Sequence, residues 1–526
     1  MTTVSPPRRP GTALVGRDGF PQLLRAEWTK LRTVRRWGLT LLAAVVVTVL
    51  ISLFSASSSG IETTRGGGEG GSPAPTGPGG VSIRDDFTFV HRTLTGDGAI
   101  TARVTGPTGE QPREAPEWAK AGVLIKESTD PGSDYAAVMV TAGHGVRLQS
   151  EFVRDVAGGA ASATTPHWLR LVREDATVTA YESADGRTWH KVGTARLGTS
   201  AEAVQVGLFV ASPDTRSMER RFGNVSVSDE PSRSSGRFDE VTVKGAVGGD
   251  WRLTDVGRPN GGGQPTGDGQ PAGPEQPTGA GQGELRRAGG AFTVTGSGDI
   301  APGTPMQPDL VATSLNGSQL SLVLVAALGV LFITAEYRRG MIRTTFVVSP
   351  RRGRVLLAKA VVIGAVTFVT GLVASFLSYL LSMPALRDSG HKPPLFPEFS
   401  LTDGPVLRAV FGTAALLALI AVLALGLGAL LRNTAAAITT VVVVIVLPLI
   451  LVSMVPLGLS QWLQRLTPVA GFAIQETTPH YDQVASRCLP EDGCYPQGAW
   501  TGFGTLAAYV VVVLGVAVWR VRKRDA

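Results

Sequence analysis

The chain has 526 residues, 43% hydrophobic and only 17% charged, with 65 Gly, 34 Pro and a formal charge of +7. A charged share well below the rough quarter of soluble domains excludes a purely soluble enzyme, and the apolar content excludes a purely disordered chain. The glycine and proline load is too high for packed helices alone, so linkers or turn-rich β structure must accompany a membrane part.

Within residues 1–36, Phe20, Leu24, Trp28 and Leu31 share one helical face while Arg25, Lys30, Arg32 and Arg36 fall mostly elsewhere. This is the pattern of a cytoplasmic amphipathic helix lying in the membrane interface, with Trp28 and Lys30 as interface residues. A generic membrane flank would read the same way. Residues 37–56 are the first apolar span, Trp37 to Ser55; Ser55, Ala56 and Ser57 are small enough for signal cleavage, but the segment before the span is longer than a usual n-region, which favours a retained anchor. Gly11 to Gly16 has Walker-like spacing, but Arg17 and Asp18 replace the Lys-Ser/Thr pair that would hold phosphate and magnesium.

Residues 57–83 read as a Gly/Pro/Ser linker and 257–283 as a disordered one. Between them, 84–256 carries short alternating runs with frequent turn residues, the signature of an all-β sandwich. Expected strands are Ala99–Val104, Val123–Lys126, Tyr135–Thr141, Val146–Phe152, Trp168–Arg173, Thr177–Glu182, Trp189–Thr194, Val204–Val210 and Phe222–Val227, with Asp185-Gly186 as a hairpin turn. Trp118, Tyr135, Trp168 and Trp189 offer flat faces for carbohydrate stacking, although large aromatics more often supply core. Asp130, Asp134 and Asp185 are oxygen donors in turns, where acids are more often solvated than calcium-bound. Residues 284–317 are expected as a further β/loop segment outside the membrane.

Residues 318–526 hold five more spans, near Leu320–Ala335, Val355–Met383, Val406–Leu431, Ala435–Val455 and Trp500–Trp519, the first of these being the shortest. Lys and Arg concentrate before span one, in the loop 336–354, at Arg432 and after span six, which places both termini in the cytoplasm and 57–317 outside. The positive charge is thus topological and gives no support for nucleic acid binding. No charged residue lies deep in a span, so an ion-coupled mechanism lacks its usual relay. Cys488 and Cys494 fall in an exterior loop and are expected as a disulfide; His480 alone offers too few ligands for zinc, and no metal site is expected.

Two stretches carry family resemblances. Trp118-Ala119-Lys120-Ala121-Gly122-Val123, Trp168-Leu169-Arg170-Leu171, Ser183 to Trp189 and Phe222-Gly223-Asn224-Val225 resemble the concanavalin-like (lectin/glucanase-like) jelly-roll domains. No Glu-x-Asp-x-x-Glu arrangement accompanies them, which disfavours glycan hydrolysis. Leu24 to Leu31, Glu336 to Thr345, Ser349 to Arg354 and Lys359 look like the membrane subunit of a type-2 ABC transporter. That resemblance implies a cytoplasmic coupling surface at Glu336, Arg339, Gly340, Arg343 and Arg351, where the arginines also suit a topological role. It further implies a separate ABC ATPase carrying ATP and Mg, a second permease subunit, and no cofactor on this chain.

The expected architecture is a multi-domain membrane protein: a six-helix all-α transmembrane domain with an all-β jelly-roll sandwich inserted between spans one and two. The expected function is the permease subunit of an ATP-binding cassette exporter, with no enzyme activity of its own. The alternative is a membrane-anchored protein whose sandwich binds or senses cell-wall glycan.

Overall fold

A computed structural model describes residues 19–59, 75–77, 82–110, 113–198, 201–221, 224–258, 282–303, 308–338, 351–393, 396–484, 489 and 493–523. Most of the two expected linkers, the Walker-like segment and most of the loop 336–354 lie outside these residues.

The helices are α1 (Phe20–Thr33), α2 (Arg35–Ser58), α3 (Leu310–Ser314), α4 (Gly317–Arg338), α5 (Arg352–Asp388), α6 (Gly404–Leu431), α7 (Thr434–Leu451), α8 (Leu457–Leu466) and α9 (Ala499–Lys523). Six of them, α2, α4, α5, α6, α7 and α9, are long and apolar enough to cross a membrane. The shortest is α7, with 18 residues, and not α4, which has 22: Gly317, Ser318 and Gln319 all join α4, while α7 stops at Leu451, short of the expected Val455. The helix α7 also contains a π turn at Val442–Val446, immediately before Leu447-Pro448, where proline removes one backbone donor.

Helix α2 is built inside out relative to a soluble helix. Ala44, Thr48, Ser52 and Ala56 are buried, whereas Leu39, Leu42, Leu50 and Phe54 are exposed. Small residues permit close helix approach, and apolar ones are stable facing hydrocarbon. The turn from α6 to α7 is short because Arg432 takes a left-handed conformation (φ 56°) and the Asn433 side chain caps α7 by accepting from Ala435 N at 2.9 Å.

The strands are β1 (Ile83–Gly109), β2 (Lys120–Lys126), β3 (Tyr135–Thr141), β4 (Val146–Ser150), β5 (Arg154–Ala157), β6 (His167–Glu174), β7 (Thr177–Ser183), β8 (His190–Arg196), β9 (Ala203–Ala211), β10 (Thr215–Arg221), β11 (Asn224–Glu230), β12 (Ser234–Val256), β13 (Glu284–Ala288), β14 (Ala291–Gly296) and β15 (Asp299–Pro302). All but β10 and β11 form a large antiparallel sandwich between α2 and α3. The long strand β1 joins its two layers: Thr88–Thr95 pairs with β9, and Gly98–Val104 pairs with β6, while β12 follows β1 on its other side. One layer runs β12-β1-β9-β2-β3-β4-β5 and the other extends through β6-β7-β8. Val90, Ile100, Val123, Val138, Leu169, Leu171 and Val178 fill the space between them.

Two expectations need correction. The expected strand Phe222–Val227 overlaps β11 from Asn224 onward but does not join the sandwich: β10 and β11 pair only with each other, and Arg220 Nη1 donates to Val452 O at 2.7 Å, against the helical region. Residues 284–302 are not a separate segment either, since β14 pairs with β12 and β15 pairs with β1. The first is a local hairpin whose separation from the main sheet alternation does not reveal, and the second is a set of pairings between segments distant in sequence.

Candidate functional site

One end of the helix bundle gathers the basic residues of distant segments. Arg520 Nη1 donates to Leu430 O at 3.2 Å, and the Arg432 guanidinium lies 5.5 Å from the Tyr337 ring centroid. The ends of α4, α6 and α9 therefore share this end, and the start of α5 joins them, since Arg352 and Val355 line one cavity with Tyr337 and Val521.

Here lies a cluster of four charges. Lys359, on the second turn of α5, is 1% exposed; its Nζ donates to Glu27 Oε2 of α1 at 2.6 Å and to Glu336 Oε1 of α4 at 2.6 Å. Lys30 closes the cluster, donating to Glu27 Oε1 at 2.9 Å and to Glu336 Oε1 at 3.1 Å. Glu27 and Glu336 are buried, and Lys30 is the member that reaches solvent. The Phe332 ring lies 5.0 Å from Lys359 Nζ, and Trp37 packs edge-on against Phe332. Leu31, Phe332, Ile333 and Leu356 form the apolar floor.

Two acids and two lysines make the cluster neutral, which is the condition for keeping charges out of water. Burial works against the Lys30 ammonium, but the hydrogen bonds and charges of Glu27 and Glu336 outweigh it and raise its pKa. Glu336 Oε2 is buried without a hydrogen-bond partner. The arrangement pins α1 to the end of α4 and the beginning of α5.

The expected site residues distribute as follows. Glu336 and Lys30 meet in the cluster. Arg351 is exposed at the start of α5, and Arg339, Gly340 and Arg343 lie outside the described residues. Trp28 is 49% exposed, while Glu27 shares the buried side of α1 with Leu31; the inward face is thus rotated from the apolar stripe expected. Glu27 and Lys359 carried no assigned role in the sequence. Their signal was an acid inside the amphipathic helix and a lysine inside an apolar span, both needing partners.

In the sandwich, Tyr135 is 1% exposed and packs against Phe152, so it is core and offers no sugar a free ring. Trp118 stacks on His144 with centroids 4.0 Å apart. Trp168 and Trp189 are half-buried on one sheet face; the Arg170 guanidinium covers Trp189 at 3.8 Å, and Arg103 lies 5.9 Å from Trp168. The three acids are all engaged within the protein, and Asp130 accepts from the Ser128 hydroxyl at 3.1 Å. Asp185 accepts from Arg187 N and Thr188 N, which together with Ser183 hold its carboxyl well below the usual range, and Asp134 accepts from Gly198 N. A second core on the other sheet face buries two ion pairs, Lys120–Asp299 at 2.6 Å and Lys126–Asp85 at 2.8 Å.

At the opposite end of the bundle, Asp309 caps α3 through Ala312 N (2.9 Å) and accepts from Thr477 N (2.5 Å) and Thr478 N (2.9 Å), tying α3 to the segment before α9. Glu476, His480 and Cys494 converge nearby, with His480 Nε2 at 2.8 Å from Glu476 Oε1. Cys494 is disulfide-bonded, so its sulfur is unavailable as a metal ligand; Cys488, the other cysteine of the chain, lies outside the described residues.

Residues 87–230 match a family described as a protein of unknown function, DUF1349. No curated protein matches the chain. Among solved structures, SCP-B, a member of the Eqolisin family of peptidases, is similar at 9% identity over 40% of this chain and 98% of that one, with a TM-score of 0.24. A functionally unknown protein from Saccharomyces cerevisiae shares 16% identity over 31% and 72%, with a TM-score of 0.16. The GH43 protein BlXynB from Bacillus licheniformis shares 16% over 22% and 24%, with a TM-score of 0.18. At such scores these likenesses carry no inference about activity.

Proposed function

We propose that the chain is the membrane-spanning permease subunit of an ATP-binding cassette exporter, pairing with a second permease subunit and driven by a separate ATPase. The observation that carries this reading is the buried cluster of Glu27, Lys30, Glu336 and Lys359. A simple anchor has no use for a costly four-charge cluster joining three helices beside a basic loop, whereas a motor-driven permease needs a stiff element there to receive movement. The six apolar helices, with basic residues gathered at one end, support a multi-pass protein of the cell membrane with both termini cytoplasmic and the sandwich outside.

The test is co-expression and co-purification with a candidate ABC ATPase from the same organism. Wild-type chain should retain the ATPase, and Arg339→Glu with Arg343→Glu should release it without lowering the melting temperature. Retention by the double variant sinks the coupling role. The glycan-binding alternative draws on Trp118, Trp168 and Trp189, but a cation or imidazole lies against each of these rings.

A further inference from the structure

The sandwich holds a pocket unrelated to the helix bundle. It opens between the loop after β5 and the turn joining β7 to β8, has a volume of about 320 Å³, and is lined by Gly159, Ala160, His167, Glu182, Asp185 and His190 among others. This falls at the small end of small-molecule sites, roughly 300–1,000 Å³.

Its innermost charged group is Glu182, 8% exposed. Glu182 Oε1 accepts from Gly159 N at 2.6 Å, and Oε2 lies 3.2 Å from His167 Nε2, itself on a ring that is 9% exposed. A Cβ at position 159 would stand 2.9 Å from Glu182 Oε1, so a larger residue there would shift the carboxylate. An ionised carboxylate has about four acceptor sites, and each oxygen of Glu182 has one partner, so acceptor capacity remains. Asp185 adds a second carboxylate, held by the turn N–H groups of Arg187 and Thr188 and by the Ser183 hydroxyl. No lysine or arginine lines the pocket.

A concave site with two carboxylates, two histidines and no lysine or arginine concentrates cations when those histidines are neutral. A metal ion would need three or four ligand atoms converging. Among the described residues, the side-chain group that converges so closely is Glu476, His480 and Cys494, not this one. A neutral sugar would gain nothing from the two charges. We propose that this pocket binds a small primary amine of about the size of one amino sugar, with Glu182 as its counter-charge. An ammonium can donate to the roughly two acceptor positions left open on Glu182 and turn its third hydrogen to solvent, and charge-assisted hydrogen bonds of this kind are about twice as strong as neutral ones. The inference is independent of the transport reading, because neither the cluster at the bundle end nor the ATPase enters it.

The test is calorimetric titration of the full-length, detergent-purified chain with glucosamine, lysine amide, glucose and zinc chloride. Glucosamine should bind at least about ten-fold more tightly than glucose, which shares its size and ring but lacks the ammonium. Binding of lysine amide instead would identify an amino-acid carrier at the same site. Glu182→Gln should weaken amine binding at least about ten-fold. Since Glu182 also holds Gly159, a second variant keeps the test open: Ala184→Trp, at an exposed rim position, should block the pocket with an unchanged melting temperature. Equal binding of glucose and glucosamine, zinc binding without amine binding, no binding of either amine, or amine binding unchanged in both variants would each overturn the proposal.

Discussion

Lys359 is the side chain on which the bundle-end cluster turns, because it is the buried cation contacting both acids. Removing it leaves two carboxylates out of water with only Lys30, which is 42% exposed, to compensate. Lys359→Met should therefore destabilise the chain by about 3–5 kcal/mol, whereas Lys30→Ala should cost about 1 kcal/mol or less. Thermal unfolding of the purified full chain reads both, and equal effects would contradict the burial argument. The pair His480 and Glu476 makes a second residue-scale case. The hydrogen bond from Glu476 raises the histidine pKa above 6.5 against the opposing effect of burial, while burial raises the Glu476 pKa. Both groups hold their proton more tightly in the folded chain, so both contribute stability that is complete below their unfolded values and is lost as pH rises through the folded ones. Melting temperature should fall between pH 6 and pH 9 in the wild type, and fall less in His480→Gln; identical pH profiles would exclude the pair as a contributor.

Among the elements, α8 reverses the usual amphipathic order. Ser460 and Gln464 are buried against the protein, while Leu459, Trp462 and Leu466 are more than half exposed. An exposed apolar face is stable only against hydrocarbon, so α8 should lie in a membrane interface. A nitroxide placed at Leu459 in liposomes should be accessible to oxygen and shielded from a water-soluble nickel relaxant; the opposite accessibilities would place the helix in water. This element was not legible in the sequence. Its ten residues sit between two prolines and are too short to register as a span, and their inward polar face acquires meaning only against the rest of the bundle. The six long helices were legible, because continuous apolar runs have few other stable solutions in a bilayer. So were most of the strands from β2 to β9, whose alternation marks a half-buried face, but β5, β10, β12 to β15 and the outer stretches of β1 were not. Many of these segments are polar or partly exposed, and β12, β14 and β15 find partners distant in sequence.

For the whole molecule, the gathering of basic helix ends on one side and the sandwich contact through Arg220 on the other make a two-ended object. A cysteine at Asn433, exposed in the turn between α6 and α7, should react with a membrane-impermeant maleimide only after cell lysis, and one at Ser162, exposed on the sandwich, should react in intact cells. Labelling of both in intact cells would refute the proposed topology. What the sequence alone determined is the low charge and high glycine and proline content resolved into apolar helices, linkers and β structure, together with the two-sided distribution of Lys and Arg. These are local properties, carried by composition and short-range periodicity. What the tertiary structure decided is which charges meet. Glu27 and Lys359 are 332 residues apart, β15 pairs with the start of β1 from the far end of the sandwich sequence, and Glu182 becomes the inner wall of a pocket only when Gly159 and His167 close around it. Burial and pairing are properties of surfaces brought together by folding, and no stretch of sequence holds both surfaces at once.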